Sequence, residues 1–341
     1  MTSPMQAYHI TGTSGLDSLK IVETEAPMAA ADQVVVQIRS VSLNYRDYMN
    51  ILGIRGVTGP IPRVPCSDGA GEIISLGSGV TTWQVGDRVV IPFMPSWLNG
   101  PFSQTHSAAA LGGAVDGVLR QQFAASADSL VRLPDTMTFS QAATLPCAAV
   151  TAWDALIVRG QLQPGSTVLI QGSGGVSIFA LQIAKHHGAR VLAITSSEEK
   201  ASRLRQLGAD ATFNYKQNPD WATWALEQTD GIGVDHVVEI GGPETLNRSI
   251  QATRFGGHIA LIGVLTGTSG EIQTVQILRK GIRLDGVYVG SRAMLAQVVD
   301  FFSTSPHRPI IDSSFPFSDA AAAVNHLESG RHFGKIVITL D

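Results

Sequence analysis

Between Pro164 and Gly290 the chain repeats one pattern: short apolar runs at Thr167–Gln171, Arg190–Thr195, Ala211–Tyr215, Asp235–Ile240, His258–Gly263 and Arg283–Val289, with helical stretches between most of them. Strands that are apolar almost throughout, instead of at alternate positions, are buried on both faces. That burial arises when helical crossovers cover both sides of a parallel sheet. The first run is followed by glycines and then by a helix expected over Val176–His187. This stretch is therefore expected to form a doubly wound, parallel α/β domain.

The first third of the chain differs in texture. Val34–Arg39, Ala70–Leu76 and Asp87–Pro92 are β-type runs broken by Gly77, Gly79 and Gly86, the pattern of a barrel-like all-β unit. From Ser140, expected to cap a helix running through Ala142, Ala143 and Leu145, strands and helices alternate. A boundary is expected within residues 126–138. Near the end, a helix over Ser318–Ser329 is stopped by Gly330, and the strand Lys335–Leu340 is expected to return to the β-rich part. The expected division is residues 1–130 completed by 305–341, and residues 131–304.

Composition narrows the function. With 341 residues, 44% hydrophobic and 15% charged, the chain can bury a large core. Its 24 basic and 28 acidic groups give −4 without any block of like charge, which argues against nucleic-acid or membrane partners and for a small-molecule ligand. Residues 1–15 are mixed and polar, and no apolar run is long enough to span a bilayer, so the cytoplasm is the expected compartment. Cys66 and Cys147 lie too far apart for a close-spaced metal pair and are read as reduced thiols.

The strongest chemical signal is Gly172-Ser173-Gly174-Gly175-Val176-Ser177, placed between the first apolar run and its helix. Small residues let the backbone turn tightly and approach a pyrophosphate, whose charge is met by first-turn N–H groups and the helix dipole. Ser177 stands where the usual fingerprint has its third glycine. An NAD site usually has an acidic residue at the end of the second strand, holding the ribose 2′-hydroxyl. Here that strand ends in Thr195-Ser196-Ser197, followed by Lys200 and Arg203, which suits the 2′-phosphate of NADP(H). The competing reading has Ser196 or Ser197 merely capping the next helix, with Lys200 on its solvated face. Glu198 and Glu199 are read as first-turn acids.

Taken together, several segments resemble the medium-chain dehydrogenase/reductases, within them the zinc-independent quinone oxidoreductase and alcohol-dehydrogenase-like branch. They are Ser42-Leu43-Asn44-Tyr45-Arg46-Asp47, Asp68-Gly69-Ala70-Gly71-Glu72, Leu145-Pro146-Cys147 with Thr151-Ala152-Trp153, the Gly172 loop, Val237-Val238-Glu239 with Gly241-Gly242, and Gly334-Lys335-Ile336-Val337. The resemblance covers nearly the whole chain. It implies a GroES-like β-barrel catalytic domain, a Rossmann domain and a nicotinamide cofactor lying between them. It also implies that Lys200 and Tyr215 hold the adenosine 2′-phosphate, that the backbone at Ile262 and Gly263 meets the carboxamide, and that Thr151 lies near the nicotinamide ribose. Tyr215 is otherwise an apolar strand-end residue. Homodimers joined through the Arg283–Val289 edge are implied as well.

Zinc members of the family hold the metal with a cysteine, a histidine and a second cysteine. Asn44 and Ser67 stand at the first two of these places, Asp68 at that of the following acid, and Cys147 alone keeps its type. Catalytic zinc needs about three converging protein ligands, so no metal is expected. Without one, polarising a carbonyl falls to hydrogen-bond donors, which favours conjugated acceptors. Asn44 as an amide donor, with Tyr45 and Tyr48 as donors or proton sources, are the catalytic candidates. Alternatively the tyrosines pack together on one helical face while Asn44 and Asp47 satisfy backbone. The expected function is NADPH-dependent reduction of a quinone or α,β-unsaturated carbonyl. The alternatives are an NAD(P)-dependent alcohol dehydrogenase and, from another class, an NADPH-binding sensor or structural protein with little turnover.

Overall fold

The computed structural model describes residues 4–54 and 61–340. The chain divides into two compact units, Met1–Val150 with Val289–Asp341, and Thr151–Tyr288.

The first unit begins with β1 (Pro4–Ile10) and β2 (Leu19–Glu25), an antiparallel pair. It continues with β3 (Gln33–Ser42), β4 (Asp68–Leu76), β5 (Arg88–Ile91), β6 (Gln122–Ser126) and β7 (Val131–Arg132). In the second unit β8 (Thr167–Gln171), β9 (Arg190–Thr195), β10 (Ala211–Asn214), β11 (Val234–Glu239), β12 (Thr253–Leu261) and β13 (Arg283–Gly286) form one sheet. The chain then returns to the first unit with β14 (Ile311–Pro316) and β15 (Lys335–Thr339), giving the order β14-β15-β3-β4-β5-β7, with β6 also on β3. Val34, Val36, Ile38 and Val41 of β3 are fully buried among Ile73, Val89, Ile91, Ile336 and Ile338. The last strand thus completes the β-rich part, as expected.

The second sheet is wholly parallel in the order β10-β9-β8-β11-β12-β13. Val168, Leu169 and Ile170 at its centre are inaccessible, which explains the unbroken apolar run. From β8 the chain steps outward one way to β9 and β10; from β11 it steps the other way. The switch point between β8 and β11 opens a crevice at the carboxyl ends of the strands. On one face, His236 of β11 and His258 of β12 are register partners, with their Nδ1 atoms 3.3 Å apart and His258 Nε2 3.3 Å from Asp285. Burial pushes both imidazoles well below their ordinary range, His236 to about 4.

Some expectations need correction. Ser140 lies inside the helix Phe139–Ala143; Thr138 caps it, accepting the Gln141 N–H at 3.1 Å while Gln141 Oε1 accepts the Thr138 N–H at 3.0 Å. Leu145 belongs to a separate wide-turn segment, Leu145–Ala149, opened by Pro146. The first unit extends past the expected limits of 130 and 305, because Phe139–Ala143 packs on β3 and β4 and the helix Arg292–Thr304 packs on β7. The strand expected over Arg283–Val289 stops at Gly286, and Val289 takes φ +61°, outside strand geometry. Among the described residues no helix is long and apolar enough to cross a membrane.

Candidate functional site

Because all strands of the second sheet run in one direction, the Gly172 loop, Ser196-Ser197, Tyr215, Ile240–Gly242 and Ile262-Gly263 all lie at its carboxyl edge. Gly172 takes φ +71°, which turns the chain out of β8 and which other residues rarely adopt. Gly174 stands at the N-cap of the helix Gly175–His186, and a Cβ there would meet nothing within 4 Å. The loop is therefore open where a ligand's phosphate would approach. The first-turn N–H groups of Gly175, Val176 and Ser177 have no acceptor within the helix, as at any helix start. Ser173 is buried beside them. Ser177, in place of the third glycine, turns its hydroxyl back onto the Gln171 carbonyl at 2.5 Å and so ties the helix to the strand end.

The opposite wall of the crevice hangs on Glu239, which is inaccessible. Its Oε1 accepts the Gly241 N–H at 2.8 Å, the Gly242 N–H at 2.9 Å and the Thr245 hydroxyl at 2.6 Å. Its Oε2 accepts Gln171 Nε2 at 2.7 Å and the Ser249 hydroxyl. Gln171 Oε1 in turn accepts the N–H groups of Ile240 and Gly241, each at 3.2 Å. Gln171, Thr245 and Ser249 escaped the sequence reading; the one available signal was a glutamine ending an otherwise apolar strand. The Glu239 carbonyl also accepts the N–H groups of Ile262 and Gly263. At Gly263 a Cβ would lie 2.0 Å from the Ile240 carbonyl oxygen, so only glycine fits.

At the end of β9, Ser197 caps the helix Glu198–Gln206 by accepting the Lys200 N–H at 3.3 Å. Glu198 and Glu199 occupy the first turn, and Glu198 is paired with Arg205. No carboxylate ends this strand, and Ser196, Ser197 and Lys200 fall together at one corner of the edge. Tyr215 follows β10, its N–H on the Thr195 carbonyl at 3.0 Å and its ring against the core. Thr151 is buried at the start of the second unit.

In the first unit a polar cluster is buried around Asn44, Asp47, Ser67, Asp68 and Lys335. Asn44 stands at the N-cap of the helix Tyr45–Ile51, where Asp47 Oδ2 accepts its N–H at 2.9 Å. Asp47 Oδ1 has no hydrogen-bond partner; burial pushes this carboxyl up to about 6, with Arg46 the largest opposing influence. Asp68 Oδ1 accepts the Ser67 hydroxyl at 2.6 Å and Oδ2 the Cys147 N–H at 2.9 Å. Burial raises Asp68, and Lys335 is the strongest influence holding it down. Lys335 Nζ donates to the Leu43 carbonyl at 2.5 Å and to Asn44 Oδ1 at 2.6 Å. In the sequence Lys335 is marked only by the family segment it belongs to; its place beside Asn44 comes from the pairing of β15 with β3.

The tyrosine candidates behave otherwise. Tyr45 and Tyr48 pack together, ring centroids 5.5 Å apart, and the Tyr48 hydroxyl donates to Glu328 at 2.9 Å. Desolvation and that carboxylate raise the Tyr48 phenol above its ordinary value. Arg46 donates to the Leu111 carbonyl and lies over the Phe93 ring.

The donor set does not fit a catalytic zinc. Both Asp68 oxygens are taken, and Asn44 Oδ1 is held by an ammonium group. Among the described residues no three histidine, cysteine or acidic side chains converge on one point. The open glycine loop, by contrast, fits a dinucleotide pyrophosphate.

Known proteins agree with this architecture. Residues 30–135 match the alcohol dehydrogenase GroES-like domain and residues 175–304 the zinc-binding dehydrogenase family, a description that the donor set here does not follow. A zinc-type alcohol dehydrogenase-like protein of Schizosaccharomyces pombe is 39% identical, over 96% of this chain and 97% of its own. A 2-methylene-furan-3-one reductase of Solanum lycopersicum is 31% identical over 98% of this chain and 79% of its own. A solved structure from Sinorhizobium meliloti 1021, described as an alcohol dehydrogenase, superposes with a TM-score of 0.93 at 37% identity, covering 100% of both chains. A GroES-like β domain joined to a doubly wound sheet with a glycine loop at its switch point, matched along nearly its whole length, places the chain in the medium-chain dehydrogenase/reductase superfamily of oxidoreductases.

Proposed function

We propose that the chain is a zinc-independent, NADPH-dependent reductase of a quinone or an α,β-unsaturated carbonyl. The observation that supports this reading is the first unit's donor set, which offers the buried NH2 group of Asn44 and, among the described residues, no group of ligands for a Lewis acid. NADPH, when bound, supplies a hydride. A conjugated acceptor takes it at a carbon distant from the carbonyl, so the developing charge is delocalised and one or two neutral donors serve where a simple ketone would need a cation. In this reading Asn44 Nδ2 donates to the acceptor oxygen. The tomato relative supports the substrate class, since its name describes a methylene group conjugated with a ring ketone. Ser196, Ser197 and Lys200 support the cofactor, as hydroxyls and an ammonium suit a 2′-phosphate that a carboxylate would repel.

The test is a titration of purified protein with NADPH and NADH by nicotinamide fluorescence, followed by a quinone and enone panel. NADPH should bind at least tenfold more tightly, as expected for about 1.4 kcal/mol or more from one charged contact, and Lys200→Ala should abolish the preference. Equal affinities would overturn the cofactor assignment. The alcohol-dehydrogenase-like relatives favour a second reading, oxidation of a small alcohol, which stoichiometric zinc in the protein would promote. Tight NADPH binding with no turnover of any acceptor would instead favour a binding protein. We also propose a homodimer, because β13 is the outer strand of its sheet; a monomeric mass by light scattering would refute it.

A further inference from the structure

Lys335 is 4% exposed, and its ammonium reaches the backbone of Leu43 and the side chain of Asn44 across nearly the whole length of the sequence. The pairing of β15 with β3 sets this meeting: Val337 is opposite Ser42, and the Leu43 N–H bonds the Ile336 carbonyl at 3.0 Å. An ammonium group has three donors and no acceptor. The end of the Asn44 amide that faces it must therefore be the carbonyl oxygen, whatever the rest of the surroundings would prefer. The NH2 end then points the other way. That end is buried and turns towards Asp68, an acceptor whose carboxyl it helps to hold down. Two buried carboxyls, Asp47 and Asp68, share this volume with the buried Lys335 ammonium, and the Arg46 guanidinium lies 3.9 Å from Asp47 Oδ1.

We infer that Lys335 is a positioning residue: a resident internal cation that fixes the Asn44 amide with its NH2 group presented as a donor. The inference rests on the reading of Asn44 as the donor to the acceptor oxygen, and its consequence is a division of labour. Asn44 makes the contact, while Lys335 ensures that a donor and not an acceptor is presented. Without the ammonium the amide has no reason to keep one orientation, because Leu43 and Asp68 offer only acceptors on either side.

The decisive measurement needs no substrate. In protein labelled with 15N at asparagine, the Asn44 side-chain signal, identified by its loss in Asn44→Ser, should show two distinct amide protons shielded from exchange. Lys335→Met should lose that protection, and Lys335→Arg should restore it. Lys335→Gln, a milder neutral change, should behave like Lys335→Met if the latter does not fold. An unchanged Asn44 signal in a neutral variant would overturn the inference. Turnover of a quinone or enone should fall roughly tenfold to a hundredfold in kcat in the neutral variants, with NADPH affinity unchanged and partial recovery in Lys335→Arg. If the wild type turns over no acceptor while the amide signal responds as expected, the proposed reaction fails and the positioning role stands.

Discussion

Replacing Glu239 by glutamine exchanges one oxygen for an NH2 group at the centre of the crevice wall. The amide retains one acceptor oxygen, and it does least harm by keeping that oxygen where Gly241, Gly242 and Thr245 donate. Its NH2 group then faces Gln171 Nε2 and the Ser249 hydroxyl. The Ser249 hydroxyl oxygen, which already accepts Gln171 Nε2 at 3.0 Å, can turn to accept the new NH2 group as well, so one Gln171 N–H keeps a partner and the other loses its acceptor. One buried donor deprived of its partner costs about 1–3 kcal/mol, and the remaining contacts fall from charged to neutral strength, worth on the order of 1 kcal/mol more. Because such terms overlap, about 3 kcal/mol in total is the expected loss. With a urea slope of about 3 kcal/mol/M for a chain of this size, the midpoint should drop by about 1 M. Circular dichroism through a urea series measures this, with Glu227→Gln, an exposed glutamate of the same unit, as the control. A midpoint within about 0.2 M of wild type, well under 1 kcal/mol at that slope, would refute the claim that this carboxylate organises the crevice.

Three further outcomes are expected. Gly263→Ala should destabilise the second unit by several kcal/mol or displace the Ile240 carbonyl, and either effect should weaken NADPH fluorescence titrations; wild-type affinity and melting temperature would contradict the close approach. The His236–His258 pair is held neutral by burial, so the unfolded chain binds protons that the folded one refuses. Its contribution to stability should be complete above the ordinary imidazole value of 6.5 and be lost as pH falls towards about 4. The melting temperature should accordingly decline over that window, and less steeply in His236→Leu/His258→Leu. Tyr48→Phe should leave kcat within about twofold, since the hydroxyl serves Glu328; a loss on the order of a hundredfold would restore it as a proton source.

What the sequence disclosed follows from how locally each feature is encoded. The strand Thr167–Gln171, the glycine loop and the helix behind it lie within twenty residues, and apolar run, turn glycine and helix start each leave a mark there. The cap at Thr138 was just as local and was missed, because Ser140 is an equally good capping residue and only Gln141, three positions on, distinguishes the two. The partners of Glu239 and of Asn44 were illegible for a different reason. Gln171 and Lys335 meet them only through strand register, and no periodicity near either residue specifies which distant strand will lie alongside. The tyrosines were legible as a pair three apart, yet Glu328, which occupies one of them, comes from the other end of the chain.

Gln171 belongs to both loops that flank the switch point. Its backbone carbonyl receives Ser177 from one side, and its side chain grips Glu239 and the N–H groups after β11 on the other. The corner formed by Ser196, Ser197 and Lys200 is tied down separately, through Ser197 and through the bond from Tyr215 to Thr195. The glycine loop and the wall after β11 are thereby joined into one part, and the corner that we propose meets the adenosine ribose is held beside it by bonds of its own. On the proposed assignment, a change in cofactor preference requires only those few residues and leaves the bonds around Gln171 and Glu239 untouched.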